Sequence, residues 1–222
     1  MNRPTRNMTR PTVLGVVGGS SSLIASVDFT SWPADDYAVG THEAEGVGFT
    51  VAGDGISIGG GAGIAPDGAT PVTVNIDTST IFALGLDDNP SLRLVVDIDQ
   101  GGTSTPQISA FLGEDASNRL GVHRMVSAVR SSFFNGGVWA PNLDAGLASS
   151  VDVHHIGLQV DGNHGVVRWS TSEQSEPGFG DLETPGGSVW NGQRGTWAGN
   201  GFIRFYLDGS AGRVNGFRLY SE

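Results

Sequence analysis

From Leu23 onward, apolar and polar residues alternate with a period of two. Leu92, Leu94, Val96 and Ile98 are separated by Arg93, Val95, Asp97 and Asp99. That spacing places four aliphatic side chains on one face of a strand and mostly polar groups on the other. The same alternation runs through Val72, Val74 and Ile76; Ile108, Ala110 and Leu112; Ile156, Leu158 and Val160; and Ile203, Phe205 and Leu207. Gly, Pro, Asp or Asn bounds each run and supplies the backbone conformations that end strands. No segment carries a helical stripe; Asn89 to Leu92, Asp115 to Leu120 and Asn142 to Ser149 have room for a turn or two at most. The pattern predicts roughly ten to fourteen strands. Two antiparallel sheets packed face to face let the alternating faces meet in one core.

One stretch shows the pattern in miniature. In HHIGLQVDGNHGVVRWS, residues 154–170, two strand-like runs flank Asp161-Gly162-Asn163, a sequence suited to a hairpin turn. Ile156, Leu158, Val160, Val167 and Trp169 are its expected core residues. His154 and His155 are adjacent, so on a strand they point to opposite faces and do not chelate one ion together.

Composition agrees with a loop-rich β protein. The 222 residues include 35 glycines and 10 prolines, too many for a helical chain, while 38% hydrophobic residues suffice for a packed interior. A chain of this length fits one sandwich, expected over residues 25–222, preceded by an arm at 1–24. The formal net charge of -11 opposes binding to nucleic acid and anionic lipid over most of the surface. All 12 basic residues are arginine, and the absence of cysteine removes disulfides, thiolate zinc sites and cysteine nucleophiles. Three arginines precede an apolar run from Thr12 to Val17 that is too short for a signal peptide or a membrane span, so membrane insertion is not expected. The segment reads as a basic arm, flexible when free and ordered against a partner; the alternative is a disordered tail.

SLRLVVDID, HHIGLQVDGNHGVVRWS, GFIRFYLDGS and GRVNGFRLYS, in that order and spacing, resemble the second half of concanavalin A-like jelly-roll domains, particularly the laminin-G-like and pentraxin-like group. The resemblance covers about Asp28 to Ser221 as a fold pattern and matches specific residues over the last third. It departs at Asn215-Gly216-Phe217, where an acidic residue is common in the family. It implies an all-β, two-sheet antiparallel jelly-roll sandwich. A glycine-rich, cysteine-free sandwich behind a short basic arm also resembles phage fibre, spike and other virion accessory proteins that contact host-surface glycans.

The motifs of enzymes with this fold are missing. The Glu-x-Asp-x-(x)-Glu strand of its glucanases is absent, as is the lyase combination of Arg-x-Glu-x-Arg with Gln-Ile-His. Asp97 and Asp99 share a face but read as a polar sheet surface, and no nucleophile-elbow sequence frames any serine. No catalytic residue and no cofactor is therefore expected. Calcium is the one metal to consider, at Asp87-Asp88-Asn89 or Asp161-Gly162-Asn163, and both read first as turns, so no metal ligand is assigned.

Sugar binding asks for aromatic rings beside hydrogen-bonding groups. Trp190, Asn191, Gln193, Arg194 and Trp197 supply both within the glycine-rich tract from Pro177 to Gly199, and Trp139 with Asn142 offers a smaller patch. The alternative for the tryptophans is packing at an open end of the sandwich or in an oligomer interface. The combined expectation is a non-enzymatic virion subunit, a fibre, spike or decoration protein. It attaches to other virion proteins through the arm or a sandwich edge, assembles as a homo-oligomer, on analogy a trimer, and binds host polysaccharide through its loops. A secreted or bacterial cell-surface carbohydrate-binding module, and a sandwich-fold hydrolase or lyase, are the alternatives.

Overall fold

The computed structural model describes residues 22–68, 70–81, 91–100, 107–113, 116–135, 138–140, 144–146, 152–161, 164–170, 189–191, 202–209 and 212–221. Eighteen strands among them form two nine-stranded antiparallel sheets. The first runs β16 (Val189–Asn191), β15 (His164–Ser170), β14 (His155–Asp161), β8 (Leu92–Asp99), β18 (Arg213–Ser221), β6 (Ala62–Pro66), β5 (Ile56–Gly59) and β2 (Asp35–Tyr37), with β1 (Ser22–Asp28) also paired to β18. The second runs β12 (Val138–Ala140), β11 (Ala128–Asn135), β10 (Arg119–Met125), β9 (Gln107–Gly113), β17 (Phe202–Asp208), β7 (Val72–Asp77), β4 (Val47–Ala52) and β3 (Gly40–Ala44), with β13 (Asp144–Gly146) on β11.

The sandwich is the expected architecture, with more strands than the ten to fourteen anticipated. The surplus consists of short edge pieces such as β2, β12, β13 and β16, three residues each, which are too brief to show a period. Asp144–Gly146 is one of them, a strand inside the stretch from Asn142 to Ser149 read as a helical turn. Of the stretch from Asp115 to Leu120, residues 116–118 form a bend and Arg119 already belongs to β10. β1 begins at Ser22, within the stretch assigned to the arm, and residues 1–21 lie outside the described residues.

Alternation determines which side chains reach the core. Leu92, Leu94, Val96 and Ile98 are buried against Ile108, Ala110 and Leu112 of the opposite sheet, and the hairpin contributes Ile156, Leu158, Val160, Val167 and Trp169. Each large apolar side chain buried this way stabilises the fold by about 1.5 to 3 kcal/mol. After β1, Asp28 caps a single 3-10 turn, accepting from the Thr30 backbone N–H at 3.0 Å. The turn drives Phe29 between the sheets, where its ring lies 6.3 Å from that of Phe205 and 6.1 Å from that of Phe217.

β18 occupies the middle of the first sheet. One of its edges pairs with β8 throughout; the other is shared, Val214 pairing with Ile64 of β6 and residues 216–221 with β1. The register shifts between Val214 and Gly216, a bulge at Asn215. A Cβ on Gly216 would come within 2.6 Å of the Val27 carbonyl oxygen. The departure from the family's closing pattern thus coincides with the point where β18 changes partners.

At one end, Arg124 points inward from β10. Its Nε donates to Gln100 Oε1 at 2.5 Å and its Nη1 to the carbonyls of Met125 and Ala128, while Gln100 Oε1 also accepts from Val153 N at 2.9 Å. The guanidinium joins the β10–β11 turn to the exit of β8. Burial lowers its pKa, opposed in part by nearby Asp152.

Candidate functional site

Since Ile108, Ala110 and Leu112 face the core, Ser109 and Phe111 face the other way, as do Gly121 and His123 on β10, Arg130, Ser132 and Phe134 on β11, and Arg204 and Tyr206 on β17. Register aligns them in rows. Asn75, Arg204, Phe111, Gly121 and Ser132 form one; Thr73, Tyr206, Ser109, His123 and Arg130 form the next.

The floor of this outward face is a buried polar network. Gln107 Nε2 donates to Ser109 Oγ at 2.7 Å, and His123 Nδ1 lies 2.9 Å from that oxygen. His123 Nε2 lies 2.6 Å from Ser132 Oγ. Once Ser109 accepts from Gln107, its own proton is directed to Nδ1, and Nε2–H then donates to Ser132. This order requires a neutral imidazole. Burial, with the adjacent Arg119 and Arg130, pushes the His123 pKa down to about 4.

Gly121 makes the arrangement sterically possible. A Cβ there would lie 2.6 Å from Ser132 Oγ and 2.7 Å from Phe111 Cε1. Without it, the Phe111 ring settles edge-on to His123, centroids 5.3 Å apart. Above this floor lie the half-buried side chains. The Arg119 guanidinium sits 5.0 Å from the Phe111 ring centre and 4.8 Å from that of Phe134, and Arg204 Nε donates to Asn75 Oδ1 at 2.5 Å. Burial lowers the Arg204 pKa; burial and then Asp208 raise that of Tyr206.

Chemically, the face offers donors, acceptors and rings more readily than catalysis. A serine nucleophile needs a histidine that accepts its proton and a third group that orients it. His123 is a weak base at neutral pH, and the contacts of its ring nitrogens are with serines and Gln107. The outward face of the first sheet holds a separate cluster in which Asp97 accepts two bonds from Arg218 and contacts His155. His155 is buried and the His154 carbonyl accepts from Ile98 N, so the paired histidines serve the sheet.

Of the sequence-predicted sugar-binding residues, Trp190 and Asn191 lie on β16, an edge strand, opposite Gly165 and His164. Gln193, Arg194 and Trp197 lie outside the described residues. Trp139 is on β12 opposite Phe134, and Asn142 is again outside. Because β15 packs across the sandwich on β10 and β11, β16 and β12 close the same flank. Of the calcium candidates, Asp161 ends β14, while Gly162, Asn163 and Asp87-Asp88-Asn89 lie outside. Among the described residues no three His, Asp or Glu side chains converge as metal ligands, and no helix is long and apolar enough to cross a membrane.

The Ser109–His123–Ser132 network was missed in the sequence because its members come from three strands. The available signal was the polar, outward half of each alternating strand.

No protein-family model matches the chain, and no curated protein matches it. Solved structures do. The metal-free VIP36 exoplasmic/lumenal domain aligns with a TM-score of 0.57 at 7% identity, covering 90% of this chain and 94% of that one. Its Ca2+/Man2-bound form gives 0.51 at 9%, covering 84% and 87%. CG-16, a homodimeric agglutinin from chicken liver, gives 0.37 at 14%, covering 60% and 93%. The chain thus shares its two-sheet sandwich fold with the VIP36 domain.

Proposed function

We propose that this protein is a non-enzymatic carbohydrate-binding sandwich serving as a fibre, spike or decoration subunit of a virion. The observation that carries the binding reading is the outward face of the second sheet, where Phe111 shares a row with Arg204 and Asn75, Tyr206 stands in the next row, and Arg119 spans the Phe111 and Phe134 rings, above a fixed polar floor. Pyranoses present apolar faces to rings and hydroxyls to such groups. Trp190, Asn191, Gln193, Arg194 and Trp197 supply further rings and hydrogen-bonding groups for sugar in this reading. The VIP36 domain, described in Ca2+/Man- and Ca2+/Man2-bound forms, supports sugar as the ligand class. The base beside both serines, His123, has its pKa pushed down to about 4 and so is a weak proton acceptor at neutral pH, which supports binding without turnover. Calcium has no role in this reading.

The virion role rests on the glycine-rich, cysteine-free composition and the basic arm, which attaches the subunit to other virion proteins. A trimer suits it because repeated weak sites gain avidity. The exoplasmic/lumenal origin of the VIP36 domain favours a second reading, a secreted or cell-surface binding module. A glycan array followed by a reducing-end assay tests the central claim. Binding without product release is expected; release of reducing ends would replace it with an enzyme. Sedimentation as a stable monomer, both free and on its parent particle, would remove the trimer.

A further inference from the structure

In a chain of net charge -11, three arginines stand together on the outward face of the second sheet. Arg204 of β17 is opposite Phe111, Arg130 of β11 is opposite His123, and Arg119 of β10 is opposite Phe134. Strand spacing and rise put their backbone anchors about 12 to 16 Å apart, too far for one small anion and suited to an extended chain carrying several. Two are held in place: Arg119 by the Phe111 and Phe134 rings, and Arg204 by Asn75. Arg130 is exposed.

The charges acting on His123 are Arg119 and Arg130, and they oppose its protonation, so the local field is positive. Acidic neighbours are Asp208, beside Tyr206, and Asp144, opposite Arg130 in the register. On the first sheet's outward face, Arg93 lies over the Tyr220 ring and the Arg218 fork is closed on Asp97.

We infer that the outward face of the second sheet binds an acidic polysaccharide, a chain of carboxylate-bearing sugars lying across β17, β9, β10 and β11 with Arg204, Arg119 and Arg130 meeting successive carboxylates. The planar guanidinium fork matches a carboxylate in two parallel bonds. The net charge of -11 opposes the same polymer over the chain as a whole. The inference deepens the sugar-binding reading and rests on it.

Affinity electrophoresis in polygalacturonate and alginate, against neutral dextran and mannan and a single-stranded oligonucleotide, tests it. The acidic polymers are expected to retard the protein and the others to do so far less. Arg130→Gln, at an exposed position, is expected to keep the wild-type melting temperature and to weaken retardation about 10-fold, the order of one lost charge-assisted bond. Raising NaCl from about 0.05 to about 0.5 M should act in the same direction. Arg213→Gln, on the first sheet, should change nothing. Acidic polymers retarding Arg130→Gln and Arg204→Gln like the wild type would overturn the inference. Equal retardation by neutral glycans would overturn it and leave sugar binding standing. Equal retardation by the oligonucleotide would mark an unselective polyanion face and overturn it as well. Retardation by no glycan of either class would remove both readings.

Discussion

Arg218 and Asp97, on adjacent strands of the first sheet, meet as a fork: Nη1 donates to Oδ2 at 2.8 Å and Nη2 to Oδ1 at 2.7 Å. His155 Nε2 stands 3.2 Å from the same Oδ1. The side chains are only 14% and 25% exposed, so solvent screens the pair less than an ordinary surface ion pair. Arg218→Ala is expected to lower stability by about 1 to 3 kcal/mol. A double-mutant cycle with Asp97→Asn, read from urea midpoints, should return a coupling of about 1 kcal/mol or more. Additive effects of the two substitutions would show the fork contributes little.

His123 gives stability a pH dependence of definite sign. Its pKa is about 4 in the fold against 6.5 for the free side chain, so the unfolded chain takes up the proton first as pH falls. The contribution of the neutral ring is fully present above about pH 6.5 and is lost on descending to about pH 4, up to about 3 kcal/mol. His123→Gln should lack that component. Wild-type and variant melting temperatures that run parallel between these pH values would contradict it.

Gly121→Ala places a methyl group against Ser132 Oγ and Phe111 Cε1. Overpacking of this kind costs about 1 to 3 kcal/mol. The expected readout is a lower melting temperature together with a changed NMR environment of the His123 ring. An Ala variant as stable as the wild type, with the ring signals unmoved, would show that β10 yields easily there.

For Trp190 and Trp197, replacement of either by Ala is expected to weaken glycan binding by about 0.5 to 1.5 kcal/mol with thermal stability nearly intact. Calorimetric titration beside a thermal melt separates the outcomes. A large fall in melting temperature would instead make them packing residues.

The sandwich was legible because burial on one face imposes a period of two, and the residues placed in the core from Leu92 to Ile98 and from Ile156 to Trp169 are buried. Edge strands of three residues were not legible, since two side-chain alternations make no pattern. The outward face was hidden for a different reason. Ser109, His123, Ser132 and Arg204 meet only through the register of β17, β9, β10 and β11, and each alone resembles a solvated polar position. Phe111 between Ser109 and Leu112 was the local sign, a ring on the polar side of a strand. Likewise, Asn215-Gly216 read as a departure from a family pattern, and its cause, the exchange of β6 for β1, needed the sheet order.

That exchange also bears on how the chain folds. β18, residues 213–221, holds β8, β6 and β1 together, so the edges of these strands that face it lack their partner until this segment has emerged and found all three. Those pairings join residues far apart in sequence, which makes folding slow relative to helical proteins of similar size. During synthesis, the inner edges of β8 and β1 wait unpaired, and the arrival of β18 converts two half-formed surfaces into one closed sheet.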